Sequence, residues 1–259
     1  MEVLLSSPAM PTAMDLLVER KPDRGSLRLA AVLFIAGIVV YAIAQVFHAG
    51  EFTTPTQGPD SPAVFAAYAN SSIWTLVHAC QFAAFILINF GLLALFSALN
   101  VRTGLLGNVN RFAAASAVAA LALNGVLYAV DGVALKQAVD SWHSAPSSEQ
   151  STYYAVALGI RGVEWGMRSY ENYAMGLSYF LIGIVIASSA RIPRPIGYIM
   201  GFTGLAEISD GWMIGVFQHA GIIAPLAIVG NFVVIPSVLI GIALITITAF
   251  RMKRVELDK

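Results

Sequence analysis

The stretch IWTLVHACQFAAFILINFGLLALFSA, which occupies residues 73–98, decides the fold of this chain. It contains no Asp, Glu, Lys or Arg. As a helix rising about 1.5 Å per residue, it is long enough to cross a hydrocarbon layer of about 30 Å. Helix is the expected form because lipid offers the backbone no hydrogen-bond partners, and a helix satisfies its own. The stretch therefore predicts a membrane-spanning helix.

The composition extends this prediction to the rest of the chain. Of the 259 residues, 58% are hydrophobic and 12% are charged, whereas about a quarter of residues are charged in a soluble domain. A formal net charge of zero argues against nucleic acid as a partner. The single cysteine, Cys80, excludes an internal disulfide and a CxxC metal site. These features argue against a water-soluble enzyme and favour a membrane protein with short loops.

Five further apolar stretches are separated by segments rich in Gly, Pro, Asn and charge. The predicted fold class is therefore all-α, a polytopic membrane helix bundle with six transmembrane helices. The predicted spans are residues 27–47, 73–98, 112–135, 172–190, 196–217 and 226–250. The chain then divides into an N-terminal tail at 1–26, a transmembrane domain at 27–250 and a basic C-terminal tail at 251–259.

The basic residues predict the orientation of these spans. All but three of the 15 Lys and Arg residues lie in the two tails, in the two loops on the same side or at the adjoining start of span one. The exceptions are Lys136, Arg161 and Arg168. Basic residues concentrate on the cytoplasmic side of membrane proteins, so both termini are predicted to be cytoplasmic. The opposite, outer side carries most of the acids.

Two outer segments are too long to be simple turns. Residues 50–72 predict a loop with a short helix at 63–69 that lies over the mouth of the bundle. Residues 151–171 predict an amphipathic helix that runs on into span four. Glu164 precedes Arg168 by four residues, the favourable order for a pair on one helical face. This helix is expected either to lie in the membrane interface or to cap the bundle, with the charged face solvated and self-paired in the plainest interpretation.

Ionisable residues inside or near the spans are candidate ligand-binding groups, because charges are costly in lipid. The candidates are His78, Asp131, Glu164, Arg168, Glu207 and Asp210. Counting 13 residues from the inner-face arginine of each span places five polar groups in one layer. They are Tyr41, Asn89, Asn124, Ser178 and Glu207. The alternative for the amides and the serine is interhelical hydrogen bonding, and for His48 and His219 it is a solvated boundary position.

Depth and connectivity predict two sets of neighbours at the outer end. Span three reaches Asp131 at the depth where span four begins, so Asp131, Glu164 and Arg168 are expected within reach of one another, with Arg168 balancing both acids. The ring of His78 is expected to point into the bundle and to meet a carboxylate, as in a metal or proton-relay site. In the structural alternative, the same ring donates to a backbone carbonyl or to Asn231.

A metal site is a further hypothesis for the outer boundary. His48, His78 and Asp131 could hold a transition metal, because imidazole with carboxylate suits zinc, iron or copper. His48 and His78 are also the one pair placed to ligate a haem. The sequence contains no HExxH, GxSxG, P-loop or GxGxxG pattern, and this absence argues against a metal site and against a haem site. The sequence is therefore compatible both with an enzyme and with a protein that is not an enzyme.

Four short stretches resemble a family of bacterial integral membrane proteins known as a domain of unknown function. They are PAVFAAYA at 62–69, VHACQF at 77–82, VDGVALK at 130–136 and EWG at 164–166. The likeness covers spans one to four and fades in spans five and six. It implies a multi-pass protein of the bacterial inner membrane and implies no activity.

Three functions follow as hypotheses. The first is a binding or transport protein whose outward-facing, acidic intramembrane cavity takes a small ligand, a lipid headgroup or a cation. The second is a membrane enzyme or redox subunit that uses a metal or a haem. The third is a non-catalytic subunit of a larger membrane complex. The expected partners are membrane lipid and a small molecule or cation, with a second copy of the chain or a complex as further alternatives.

Overall fold

In the computed structural model, the described residues are 22–48, 60–217 and 233–252, and within these ranges every regular element is helical. The helices, in chain order, are α1 Arg24–Val46, α2 Pro62–Asn70, α3 Trp74–Ala98, α4 Gly104–Ala129, a π-helical segment Val130–Leu135, α5 Lys136–Ser144, α6 Gln150–Ser189, α7 Arg194–Phe217 and α8 Ile235–Arg251. The predicted all-α class is therefore confirmed.

Four helices among the described residues are long and apolar enough to cross a membrane. They are α1, α3, the continuous helix Gly104–Ser144 and α6. α7 and α8 form where spans five and six are predicted, but α7 carries Glu207 and Asp210, and α8 has 17 residues. The chain thus forms a helix bundle of the polytopic membrane type. Most of the two predicted tails lies outside the described residues.

The exposed surface of the bundle is apolar, as expected for helices in contact with lipid. α1 buries Leu27, Ala31 and Phe34 on one face, while Val32 and Val39 on other faces are at least half exposed. The same pattern of large exposed apolar side chains recurs on α3, α4, α6 and α7. A soluble protein rarely exposes so much contiguous apolar surface, whereas a bilayer stabilises it.

Glycine allows the closest helix contact, between α6 and α7. A Cβ atom on Gly183 would lie 2.5 Å from the backbone nitrogen of Gly201 and 2.7 Å from the carbonyl oxygen of Gly197. Small residues at helix interfaces in membranes let backbones approach where a larger side chain would clash. This contact holds α7, and with it Glu207 and Asp210, against α6.

Asp23 caps the start of α1, beside the end of α3. Its carboxylate accepts hydrogen bonds from the backbone nitrogens of Gly25 and Ser26, at 3.2 and 3.0 Å. Its own backbone nitrogen donates to the carbonyl of Ala98 at 2.7 Å, which joins α1 to the end of α3. The hydrogen bonds from Ser26 lower the pKa of the Asp23 carboxyl below its usual value, because they stabilise the charged form.

The short helix predicted at 63–69 is α2, and it lies over α5 and the start of α6. Ser61 caps it, Pro62 occupies its first turn, and Phe65 is fully buried. Phe65 and Tyr68 pack with Leu135, Val139 and Ala157 in a second apolar cluster. The Nζ atom of Lys136 also donates to the carbonyl of Ala69 at 2.8 Å. These contacts fix α2 over one end of the bundle, as the sequence predicts.

The amphipathic segment and span four form one helix, α6, as expected, but its charged face is not solvated. Arg161 and Glu164 are buried, whereas Val156 and Val163 on the apolar face are 51% and 56% exposed. The polar face is therefore turned into the protein. This corrects the solvated interpretation, and its reason is that the charges find partners in the π-helical segment, at Asp60 before α2 and among themselves.

Candidate functional site

The outer part of the site is built around Asp131, which lies in the π-helical segment. Asp131 is 3% exposed. π-Helical turns inside α-helices often occur at functional sites, because they change the direction of one side chain without ending the helix. The long helix Gly104–Ser144 therefore carries a local irregularity at the position of its one buried acid among the described residues.

Side chains of α3 hold the π-helical segment in place. The indole nitrogen of Trp74 donates to the carbonyl of Asp131 at 2.9 Å, and the hydroxyl of Thr75 donates to the carbonyl of Gly132 at 2.8 Å. A Cβ atom on Gly132 would lie 2.6 Å from the Cβ of His78. Glycine at this position therefore permits the close approach that brings His78 to Asp131.

His78 contacts a carbonyl on one side of its ring and a carboxylate on the other. Its Nδ1 lies 2.8 Å from the carbonyl oxygen of Trp74, and its Nε2 lies 3.1 Å from Oδ2 of Asp131. Because a carbonyl only accepts, Nδ1 carries a proton. A bare Nε2 would then repel a charged carboxylate. A proton must therefore lie on Nε2 or on Asp131.

Glu164 is the most deeply buried acid of the outer part, at 0% exposed, and two arginines hold it. Nη1 of Arg161 donates to Oε2 at 2.5 Å, and Nε and Nη2 of Arg168 donate to Oε1 at 3.2 and 2.9 Å. Both carboxylate oxygens are thus engaged. Such charge-assisted, two-pronged contacts are the stronger kind of hydrogen bond, so Glu164 positions the arginines.

The same two arginines lie near Asp131, but at distances longer than those of a regular hydrogen bond. Nη1 of Arg161 lies 3.8 Å from Oδ1, and Nη2 of Arg168 lies 3.9 Å from Oδ2. The predicted grouping of Asp131, Glu164 and Arg168 is therefore confirmed as geometry. Arg161 is a second balancing cation that the sequence analysis assigned to a solvated face.

Aromatic rings and Asp60 complete the outer part. The guanidinium carbon of Arg161 lies 4.4 Å from the ring centroid of Trp165, and that of Arg168 lies 5.5 Å from the same ring. Oδ1 of Asp60 accepts from Nε of Arg161 at 3.3 Å and from the Trp165 indole at 3.4 Å. We refer to these groups as the outer charge cluster, after the side on which the distribution of basic residues predicts them. Its members are Asp60, His78, Asp131, Arg161, Glu164 and Arg168.

With one proton placed between His78 and Asp131, on either residue, the outer charge cluster contains as many positive as negative groups. It is therefore balanced within itself. Neither the contact of Asp60 with Arg161 nor the packing of Trp165 on the arginines was predicted, because the local sequence around Trp165 resembles that of an ordinary interfacial anchor. The spacing of Arg161, Trp165 and Arg168 on one helical face was the available signal.

A second set of acids lies on α6 and α7, and we call it the inner acid group: Glu171, Glu207 and Asp210. Glu171 is 5% exposed, and Glu207 and Asp210 are half-buried. Oδ2 of Asp210 accepts from the amide of Asn172 at 2.9 Å. Among the described residues, no Lys, Arg or His lies within salt-bridge distance of any of the three. The inner acid group therefore has no direct counter-charge there.

Three residues of the predicted polar layer differ in their hydrogen bonding. Ser178 donates to the carbonyl of Ala113 at 3.0 Å and joins α6 to α4, as the interhelical alternative expected. Asn89 donates to the carbonyl of Phe85 in its own helix at 3.0 Å. Asn124 is 1% exposed, and neither of its side-chain polar atoms forms a hydrogen bond. Asn124 therefore needs another explanation.

The geometry does not support the predicted metal or haem site. In the described part of the chain, no three His, Cys, Asp or Glu side chains are arranged to hold a metal ion. His48 and His78 have ring centroids 5.1 Å apart, and both pack against the Trp74 ring. That spacing is too small for a macrocycle between the two rings. His219 and Asn231 lie outside the described residues.

The fold and the buried charges define a helical membrane-type bundle that holds a cluster of paired charges and, on α6 and α7, a second group of acids. The chain belongs to the family described as Domain of unknown function (DUF4386), whose model matches residues 29–247. This confirms the resemblance drawn from the sequence. No curated protein and no solved structure matches the chain.

Proposed function

We propose that this protein is a multi-pass binding or transport protein of the bacterial inner membrane that takes a small cation or cationic molecule into its acidic interior. The proposal includes six spans with both termini in the cytoplasm, as the distribution of basic residues predicts. In that orientation the outer charge cluster lies at the external end of the bundle. His78, Asp131, Glu164 and Arg168 would then line the entrance, and Glu207 and Asp210 would lie further in.

The observation that carries the proposal is the surplus of acid. The outer charge cluster balances itself, but the inner acid group adds three carboxyls without a salt bridge in the described residues. Buried carboxylates must be paired, protonated or bound to a cation. An anionic ligand would increase the imbalance, whereas a cation would reduce it. The charge therefore favours a positively charged ligand.

The outer charge cluster suits an entrance better than a binding site. Both oxygens of Glu164 are occupied by arginines, so this residue has no free acceptor for a ligand. Asp131 is held more loosely, with Oδ1 at 3.8 Å from the nearest guanidinium nitrogen and without a hydrogen bond. Asp131 is thus the member most able to contact a passing cation.

The test is thermal unfolding of the purified protein in lipid nanodiscs against a panel of cations. The panel contains lithium, sodium, potassium, magnesium, calcium, choline and spermidine chlorides, with ionic strength held constant by N-methylglucamine chloride. At least one cation should raise the Tm saturably, because a ligand of the folded state stabilises it. The triple variant Glu171→Gln, Glu207→Gln and Asp210→Asn should lose this response.

The matched control is Asp140→Asn, which removes one exposed acid on α5 that pairs with Lys136 at 2.5 Å. It should respond as the wild type does. A wild type that no cation stabilises, or a triple variant that responds fully, would overturn the proposal. Reporter fusions test the orientation separately and should alternate between outside and inside along the chain. The fusion positions are Gly58, Gly104, Ser147, Pro193, Gly221 and the carboxyl end.

A further inference from the structure

The buried contact between His78 and Asp131 can hold one proton or none between its two facing atoms. His78 is 1% and Asp131 is 3% exposed, and Nε2 of the ring lies 3.1 Å from Oδ2 of the acid. Nδ1 keeps its own proton because it faces the carbonyl of Trp74 at 2.8 Å. Two groups this close titrate as a unit. A single proton therefore decides whether the pair attracts or repels.

Asp131 has alternative partners when that proton leaves. Nη1 of Arg161 lies 3.8 Å from its Oδ1, and Nη2 of Arg168 lies 3.9 Å from its Oδ2. Both distances exceed those of a regular hydrogen bond, and Oδ1 has no hydrogen-bond partner. A lone pair on Nε2 of His78 would repel the carboxylate, whereas both guanidiniums would attract it. Loss of the proton therefore favours a shift of Asp131 from His78 toward the arginines.

The other titratable and charged groups around the pair come from every neighbouring element. They are His48 after α1, Asp60 before α2, Tyr68 on α2, Tyr128 on α4, and Arg161, Glu164 and Arg168 on α6. Lys136 on α5 is paired with Asp140. Glu164 is held by both arginines, and Asp60 accepts from Arg161 at 3.3 Å. Of these groups only His48 also titrates near neutral pH in its ordinary state.

We propose that the His78–Asp131 pair is a proton-binding site whose proton is exchanged for one positive charge of the ligand. This inference rests on the proposed function and names its coupling ion. With the proton, the outer charge cluster is balanced. Without it, Arg161 and Arg168 face three carboxylates, and one negative charge is in surplus. The proton leaves Nε2 or Oδ2 for water at the edge of the cluster, and a cation beside Asp131 replaces its charge.

Two less buried members of the cluster connect the pair to the surface. The side chains of Asp60 and Arg168 are 36% and 37% exposed, whereas His78, Asp131 and Glu164 are buried. Nη2 of Arg168 lies beside the same Asp131 oxygen that faces His78. A proton and a cation therefore reach this oxygen from one side of the cluster and compete for it.

The test counts the protons released when cations bind to the protein in nanodiscs. Sodium, calcium, choline or spermidine chloride is added to saturation in weakly buffered solution with a pH indicator, against N-methylglucamine chloride at equal ionic strength. At mildly acid pH, the wild type should release one proton more per molecule than His78→Gln or Asp131→Asn. His143→Gln, which changes an exposed histidine on α5, is the matched control and should release as many as the wild type.

The pH dependence of cation affinity is a second readout of the same exchange. While the pair holds its proton, the wild-type Kd for the cation should fall by up to about tenfold for each unit rise in pH, because one proton is displaced. His78→Gln should bind the cation with a weaker pH dependence. A pair that serves only to hold the helices together would change stability and leave this dependence unaltered.

Infrared difference spectra keep the proposal testable if a variant does not fold. Wild type with isotope-labelled histidine should show label-sensitive bands when the stabilising cation is added, and their absence would overturn the inference. The inference also falls, while the proposed function stands, if a cation stabilises the protein but His78→Gln releases as many protons as the wild type. Reduced release in His48→Gln and not in His78→Gln has the same meaning. If no cation stabilises the wild type, both fall.

Discussion

Nε2 of His78 lies 3.1 Å from Oδ2 of Asp131, while Nδ1 of the same ring faces the carbonyl of Trp74 at 2.8 Å. The ring therefore meets both a carboxylate and a backbone carbonyl, the two kinds of neighbour that the sequence suggested as alternatives. The ring contacts its own helix through the carbonyl, and it faces the acid of the π-helical segment. With the hydrogen bonds of Trp74 and Thr75, this contact joins α3 to the π-helical segment.

His78→Ala should lower the free energy of unfolding by about 2–5 kcal/mol, because it opens a cavity beside a buried acid. His78→Gln should recover part of the loss, since an amide can donate to Asp131 but cannot reproduce both ring contacts. Chemical unfolding monitored by tryptophan fluorescence measures the difference. Equal, wild-type stability of both variants would show that the contact is incidental.

Glu164→Ala should destabilise the protein by about 3–5 kcal/mol, because it leaves Arg161 and Arg168 without their shared partner in a buried position. The control is Asp140→Asn, which breaks a pair whose acid side chain is 49% exposed. That change should cost about 1 kcal/mol or less. Similar losses for the two variants would mean that Glu164 is solvated, contrary to the structure.

Gly183→Ala should separate α6 from α7, because the added Cβ would lie 2.5 Å from the backbone of Gly201. We expect a loss of about 1–3 kcal/mol, in the range of overpacked interiors. Gly166→Ala is the matched control on the same helix, since nothing lies within 4 Å of its added Cβ. It should be neutral or slightly stabilising. A reversed order in Tm would contradict the α6–α7 contact.

Asp23→Ala should cost about 0.5–2 kcal/mol near neutral pH, because it removes the cap of α1. The pKa of Asp23 is lowered in the folded state by hydrogen bonds from Ser26. The contribution of its charge is therefore complete above the unfolded carboxyl pKa of about 3.9 and is lost as the pH falls through the lower folded value. Unfolding curves of wild type and variant between neutral and acid pH should converge. A constant difference would contradict a charged cap.

The sequence predicted the parts of the fold that depend on hydropathy. Four spans, the short helix over the bundle and the continuity of α6 follow from apolar length and from turn residues. Asp131, Glu164 and Arg168 could be grouped from depth alone, because short connections place consecutive helices side by side.

The remaining features depend on tertiary contacts that no local pattern contains. The π-helical segment is stabilised by donors from Trp74 and Thr75, which are distant in sequence. Arg161 has the spacing of a solvated helix face but is buried by Asp60 and Glu164. The local sequence does not indicate that Asn124 and Glu171 are buried, because their burial depends on how the helices pack. Only the packed structure reveals which polar groups are satisfied.

Equilibrium binding of radioactive sodium to the protein in nanodiscs tests the central claim most directly. The account predicts saturable binding to the wild type and to Asp140→Asn, and loss of that binding in the triple variant of Glu171, Glu207 and Asp210. Unsaturable uptake that is the same in the wild type and the triple variant would contradict a cation site in the acidic interior.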